Sequence, residues 1–271
     1  MQDASKPLWA DNKTVSIYIA TPVHSEVSIH YTQSMLEFQK ACLDKGIDVT
    51  IEMIKSSLVT QGRNLCTSAF LQSNMTHMLF VDSDIAFSSD SIWRMLEADR
   101  DVISVPYPLK HIKFDRLILK ILAGEVTTPK QAHVHCNTYP LRLDDNEAIE
   151  VLDNGVIEVT HAPTGCMLIK RQVFDKLIEH YPDMDIHQES IIDGKLEKKP
   201  YLYNFFDTYY DKENKRFLGE DFAFCRLWRN IGGKCYCYIM DYITHVGEFQ
   251  YTGRLWDEMK PNGVDTPDKS R

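Results

Sequence analysis

The chain lacks the glycine-rich signatures of the common nucleotide-binding folds. No strand-like run is followed by G-x-G-x-x-G, and no Walker A pattern occurs. A dinucleotide fold and a P-loop are therefore disfavoured. G-x-S-x-G and H-E-x-x-H are missing too, which leaves α/β-hydrolase and zincin chemistry without support. Nothing approaches eighteen consecutive apolar residues, so no membrane span is expected. The opening Met-Gln-Asp-Ala-Ser-Lys has no apolar core, so no secretory leader and a cytoplasmic setting are expected.

A basic surplus is also missing. Asp and Glu number 39 against 30 Lys and Arg, for a net charge of −9. That balance disfavours a protein that grips nucleic acid through its phosphates. It leaves room for a nucleotide as a small ligand, because a metal can carry the positive charge. The seven cysteines, an odd count in core-like segments, read as reduced thiols. Cys235-Tyr-Cys237 places two thiols on one strand face with no second pair nearby, so it reads as packing and not as zinc.

What is present is a chain of 271 residues, ample for one large core. Repeats, low-complexity segments and a clear linker are absent, so residues 1–271 read as one domain, with 1–13 a loose arm and 257–271 a loose tail. The organising stretch is His77-Met-Leu-Phe-Val-Asp82-Ser83-Asp84-Ile-Ala-Phe87. Its apolar run predicts a strand buried on both faces. The two aspartates fall at the strand end, where open α/β sheets bind ligands. Two like charges there call for a cation, and a hard divalent ion with a bound phosphate supplies one.

Around this stretch, strands and helices alternate. Strands are expected at Val15–Ala20 (ended by Thr21-Pro22), Asp48–Met53 and Asp101–Val105, with helices through Met35–Cys42, Gly62–Ser73 and Ile92–Leu96. Arg63-Asn64 would open the second helix, and Lys45-Gly46 would close the first. This alternation predicts βαβ units in a mainly parallel sheet. Residues 107–130 are basic and aliphatic and read as helical. Residues 133–170 read as a β meander with a strand at Val134–Cys136, a turn at Asn154-Gly155, and a turn at Ala162–Gly165 leading into Cys166–Ile169. A helix over Arg171–His180 and a polar loop over 182–200 follow. Gly219-Glu220-Asp221 would open a helix carrying Phe224, Leu227, Trp228 and Ile231 on one face. Lys234–Ile239 reads as a strand, with His245 beyond it.

The candidate groups are few. Glu220 and Asp221 suit a helix dipole, or one of them suits a general base. His245 pairs in chemistry with Asp84, since imidazole nitrogen and carboxylate oxygen both suit Mn²⁺. Arg63 suits bidentate contact with phosphate or sugar. Tyr107, Lys110 and His111 border the fourth strand.

In this order, Ile19–Pro22, Gln61–Asn64, Phe80–Asp84, Val105–Pro108 with Lys110, Pro163–Lys170, Gly219–Asp221 and His245 resemble a GT-A glycosyltransferase. The resemblance covers roughly residues 14–255 and is closest to family-2-like and Anp1-like enzymes of the sort encoded by bacteriophages and large DNA viruses. It implies an α/β fold with a mainly parallel central sheet flanked by helices and a smaller antiparallel portion. It implies Mn²⁺ or Mg²⁺, a nucleotide-sugar donor such as a UDP-sugar, and a hydroxyl acceptor on a glycan or protein. In a viral setting, the host cytoplasm would be the location.

By the same resemblance, Asp84 would bind the metal directly. Asp82 would bind it through water or hold the ribose, and His245 would be the late ligand. Thr21, Pro22, Arg63, Asn64 and Ser83 would line the donor site, and Tyr107, Lys110, Thr164 and Gly165 the acceptor side. Asp221 would be the base, with Glu220 the fallback. One departure stands out: the Q-x-x-R-W pattern of inverting members appears only as Gln250-Tyr-Thr-Gly-Arg254-Leu-Trp256. Transfer to modified DNA bases and a non-catalytic sugar-nucleotide-binding module are the alternatives.

Overall fold

A computed structural model describes residues 15–143, 149–192, 195–213 and 215–248. The 1–13 arm, the 257–271 tail and the Gln250–Trp256 segment lie outside these residues.

The first half alternates as expected: β1 (Ser16–Val23), α1 (Ile29–Lys45), β2 (Asp48–Lys55), α2 (Val59–Gln72), β3 (His77–Val81), β4 (Ile85–Ala86), α3 (Ser89–Glu97) and β5 (Val102–Ser104). The excursion helices α4 (Phe114–Leu122) and α5 (Pro129–His135) follow. Then come β6 (Val151–Leu152), β7 (Val156–Val159), β8 (Cys166–Lys170), α6 (Arg171–His180), β9 (Glu189–Ile192), β10 (Lys195–Lys198), β11 (Tyr209–Asp211), β12 (Arg216–Leu218), α7 (Glu220–Asn230), β13 (Cys235–Tyr238) and β14 (Thr244–His245).

An eight-stranded sheet runs in the order β2-β1-β3-β8-β5-β13-β7-β6. β1 pairs in parallel with β2 and β3, and β5 with β13, while β8 and β7 run against their neighbours. Six of the eight strands thus point the same way, and helices flank the sheet. Alternation along β1 sends Ile17 and Ile19 to one face, where α1 and α3 pack through Phe38 and Ile92. Tyr18 and Ala20 go to the other, where Phe70 of α2, Phe174 of α6 and Phe224 of α7 pack. Both faces are covered, so the central strands are largely apolar, with Thr21 and Ser104 buried among them. Cys235 and Cys237 join the second core as buried free thiols.

The structure departs from the sequence reading at several points. β1 continues through Pro22 to Val23. It can do so because its pairing with β3 ends at Ala20↔Phe80; beyond that point only β2 is beside it, and the missing Pro22 N–H costs no ladder bond on the open side. The second helix begins at Val59, so Arg63 and Asn64 sit inside it and do not open it. Val134–Cys136 is not a strand: α5 forms instead because Thr128 and Gln131 make a capping box with Pro129 in the first turn. Residues 182–200 are not a plain loop but contain the β9–β10 hairpin. The Asn154-Gly155 turn does form, with both residues at positive φ (64° and 78°).

Candidate functional site

The parallel strands end at one edge of the sheet, and that edge gathers the chemistry. β1 delivers Thr21 and Pro22, β3 delivers Asp82 to Asp84, and β5 runs into Tyr107. β8 runs the other way, so its beginning, Thr164-Gly165, arrives at the same edge: Val81 pairs with Cys166, and Asp82 N–H donates to Gly165 O at 3.0 Å. His245 is brought in by a short ladder. β14 pairs with β4, opposing His245 to Ile85, and Val246 N–H donates to Asp84 O at 2.8 Å.

The geometry at Asp84 is specific. His245 Nδ1 lies 2.9 Å from Pro108 O. A carbonyl oxygen only accepts, so Nδ1 carries the proton and, in the neutral ring, Nε2 presents a lone pair. That lone pair faces Asp84 Oδ2 at 3.4 Å. The two groups sit together comfortably when Nε2 is protonated, when a cation lies between them, or when an ammonium neutralises the carboxylate. Lys110 Nζ donates to the same oxygen. Burial would raise the Asp84 pKa, but the His245 and Lys110 contacts outweigh it and hold the carboxyl down at about 2. The Tyr107 ring meets the His245 ring edge-on, with centroids 4.9 Å apart.

Asp84 opens into a cleft of about 650 Å³ walled by His24 to His30, Ser83, Lys110 and Val246 to Glu248. Ser28 caps α1 here, its Oγ accepting from His30 N–H, and Ser28 N–H donates to Ser83 O at 2.8 Å. Gly247 is bare because the Lys110 stem crosses it; a Cβ there would lie 2.6 Å from Lys110 Cδ.

Asp82 faces elsewhere. Both its oxygens accept from Arg63 Nη2, at 2.9 and 3.2 Å, while Arg63 Nε donates to Glu220 Oε1 at 3.1 Å. Arg63 is only 2% exposed and its guanidinium lies over the Phe80 ring. Burial pulls the Arg63 pKa down, but the Asp82 and Glu220 charges prevail and raise it. Among the described residues, Nη1 has no hydrogen-bond partner. Arg63 therefore bridges β3 to the first turn of α7, and it does not lie open to a phosphate.

Beside this bridge, Asp221 is pushed up to about 6, chiefly by burial and then by the Glu220 charge, against the Phe222 N–H that bonds its Oδ1 at 2.8 Å. Tyr107 is raised by burial and by the Asp82 charge. Its ring covers Gly165, where a Cβ would lie 2.3 Å from Tyr107 Cε1.

The other expected residues serve the scaffold. Thr21 is fully buried with its hydroxyl 2.7 Å from Tyr31 Oη, and Pro22 packs near Gly62. Asn64 is buried and committed to Asn204 Oδ1, Phe206 O and Phe206 N–H. Thr164 is buried at the start of β8. Among the described residues no three His, Cys, Asp or Glu side chains gather as a metal cluster. Asp84 and His245 converge on one point, and Asp82 is not with them. Sequence reasoning missed the cleft residues His24 to His30 and the Arg63–Glu220 link; an ion pair between residues this far apart in the chain leaves no local signal.

No family model matches the chain, and no curated protein matches it by sequence. Similar solved structures include two at low identity. A197 from STIV is 13% identical, with a TM-score of 0.43, covering 89% of this chain and 98% of that one. A glycosyltransferase involved in the glycosylation of the major capsid of PBCV-1 is 9% identical, with a TM-score of 0.29, covering 62% of this chain and 66% of that one.

Proposed function

We propose that this protein is a GT-A-type glycosyltransferase that moves a sugar from a nucleotide-sugar donor, a UDP-sugar in our reading, to a hydroxyl on a glycan or protein. One observation carries the reading: beside a cleft of about 650 Å³ lined by Asp84 at the strand ends, His245 Nε2 lies 3.4 Å from Asp84 Oδ2.

The donor set fits Mn²⁺, and fits Mg²⁺ less well because of the imidazole. Two protein ligands suffice when water and a diphosphate complete the shell. When bound, such an ion neutralises the leaving diphosphate. Asp84 and His245 would hold it, and Lys110 adds a second positive charge beside the phosphates. Asp82 does not reach this point; Arg63 keeps it as a wall of the site. Asp221, ionised above about pH 6, takes the proton of the acceptor hydroxyl. The oxygen then bonds the anomeric carbon as the bond to the diphosphate breaks, and the electron pair leaves with the diphosphate. Tyr107 lies against Gly165 and the His245 ring and feels the Asp221 charge.

A second reading has one observation in its favour. Lys110 already neutralises Asp84 without any ion, as a metal-independent sugar-nucleotide-binding module would need. A melting screen separates the two. Stabilisation by UDP-sugars only with Mn²⁺, with UDP release lost in Asp84→Ala, supports the transferase. Equal stabilisation in chelator, with no transfer to any acceptor, supports the module.

A further inference from the structure

Between β5 and β6 the chain leaves the sheet in an excursion built of α4 and α5. From residue 109 to 136, only Val126 and Cys136 are buried. Its base is fastened by Leu109 N–H to Thr138 O at 2.8 Å and Lys113 N–H to Cys136 O at 3.0 Å. The proposed chemistry uses Lys110 at the foot and nothing beyond it.

α4 has an unusual surface. Phe114, Leu117, Ile118, Ile121 and Leu122 recur at i, i+3, i+4, i+7 and i+8, one apolar stripe. A stripe of this kind normally faces a core. Here no residue of the helix is buried, and Phe114, Ile118, Leu119, Ile121 and Leu122 are 49% to 79% exposed. Apolar surface so concentrated marks an interaction site.

The charge pattern selects the occupant. Residues 110–135 carry five Lys and Arg against two Asp and Glu, in a chain whose net charge is −9. Lys113 and Arg116 are exposed on this excursion. A second copy docked face to face would bring like charges together, and an acidic protein partner offers charge without a reason for so flat an apolar stripe. A short helix with an apolar stripe and a cationic flank fits the boundary of an anionic bilayer, where the stripe enters the acyl region and the cations meet the headgroups. We propose that α4 is an interfacial anchor that docks this protein on anionic membrane surfaces. Because Lys110 at the foot of the excursion contacts Asp84, docking holds the Asp84–His245 site close to that surface.

The test is flotation of the full chain with vesicles of phosphatidylcholine alone, or with about one third phosphatidylserine. The native protein floats with the anionic vesicles only and is partly released by salt. Ile118→Asp with Leu122→Asp abolishes flotation. Lys113→Glu with Arg116→Glu weakens it roughly tenfold or more. Each pair is at exposed positions, so melting is unchanged, and each serves as the control for the other should one fail to fold. Flotation with neither vesicle overturns the proposal, as does flotation that survives the aspartate pair. A dimer that Ile118→Asp dissolves, without vesicle binding, overturns it in favour of a second copy.

Discussion

His245 Nε2 lies 3.4 Å from Asp84 Oδ2 because β4 and β14, two residues each, zip the loop after β3 to the far end of the fold. If this pair binds the ion, saturating UDP and Mn²⁺ stabilise the native protein by about 2.7 kcal/mol at a hundred times the dissociation constant. Differential scanning fluorimetry then shows a rise of roughly 5–10 °C. Asp84→Ala and His245→Ala each remove the Mn²⁺-dependent part of the rise. A full rise in either variant would falsify the site.

Lys110 competes with a cation for Asp84 Oδ2. The pair is partly exposed, so the competition is worth no more than about 1 kcal/mol. Lys110→Ala therefore tightens Mn²⁺ binding about two- to fivefold without nucleotide, as titration calorimetry measures, while it weakens UDP binding in the presence of the metal. Unchanged affinity for both would remove Lys110 from the site.

Asp221 gives a pH signature whose sign follows from its raised pKa. The folded value of about 6 lies above an unfolded value of about 3.9. Between them the native state holds the extra proton, so stability falls as pH rises from about 4 to about 6. Asp221→Asn removes this penalty and stabilises the protein at pH 8 by about 1–3 kcal/mol, with no gain at pH 3. If Asp221 is the base of the proposed transfer, kcat/KM of the native protein shows a rising limb at about pH 6 that the variant lacks. Urea unfolding at the two pH values and a pH–rate profile check the two halves separately.

Arg63 joins two carboxylates from one buried guanidinium. Arg63→Met leaves Asp82 and Glu220 facing each other across an apolar side chain, at a cost of about 3–5 kcal/mol. Arg63→Lys does not restore it, because one ammonium cannot reach both partners as Nε and Nη2 do. Chemical denaturation that finds the lysine variant as stable as the native protein would contradict this bridge.

Gly165 is a matter of space. A methyl there meets the Tyr107 ring at 2.3 Å, and backbone on both sides is held by β8 and Asp82. Gly165→Ala drives Tyr107 off His245, costing about 1–3 kcal/mol. Pairing it with Tyr107→Ala recovers stability but not activity, a non-additivity that a double-mutant cycle measures.

Much of the fold was legible because its signals are local. Met35, Phe38 and Cys42 repeat at helical spacing and do pack on one sheet face, and Gly46 does take the left-handed cap at φ 67°. The end of β3 was legible for the same reason, an apolar run cut short by two aspartates. What escaped was decided at long range. The capping box that turns Val134–Cys136 into helix outweighed the β propensity of Val134. Arg63 and Asn64 looked like a helix start, yet what fixes their roles is Glu220 and Phe206, far along the chain. The pairing of His245 with Asp84 was among the expectations, although the two-residue β4–β14 ladder that makes it leaves no pattern to read.

That same ladder sets an order of events during synthesis. Asp84 leaves the ribosome early, with most of the sheet still to be made, and His245 emerges only after β13. If the two side chains share a cation, the nascent chain carries half of that site long before the other half exists, and the ion fastens the finished domain.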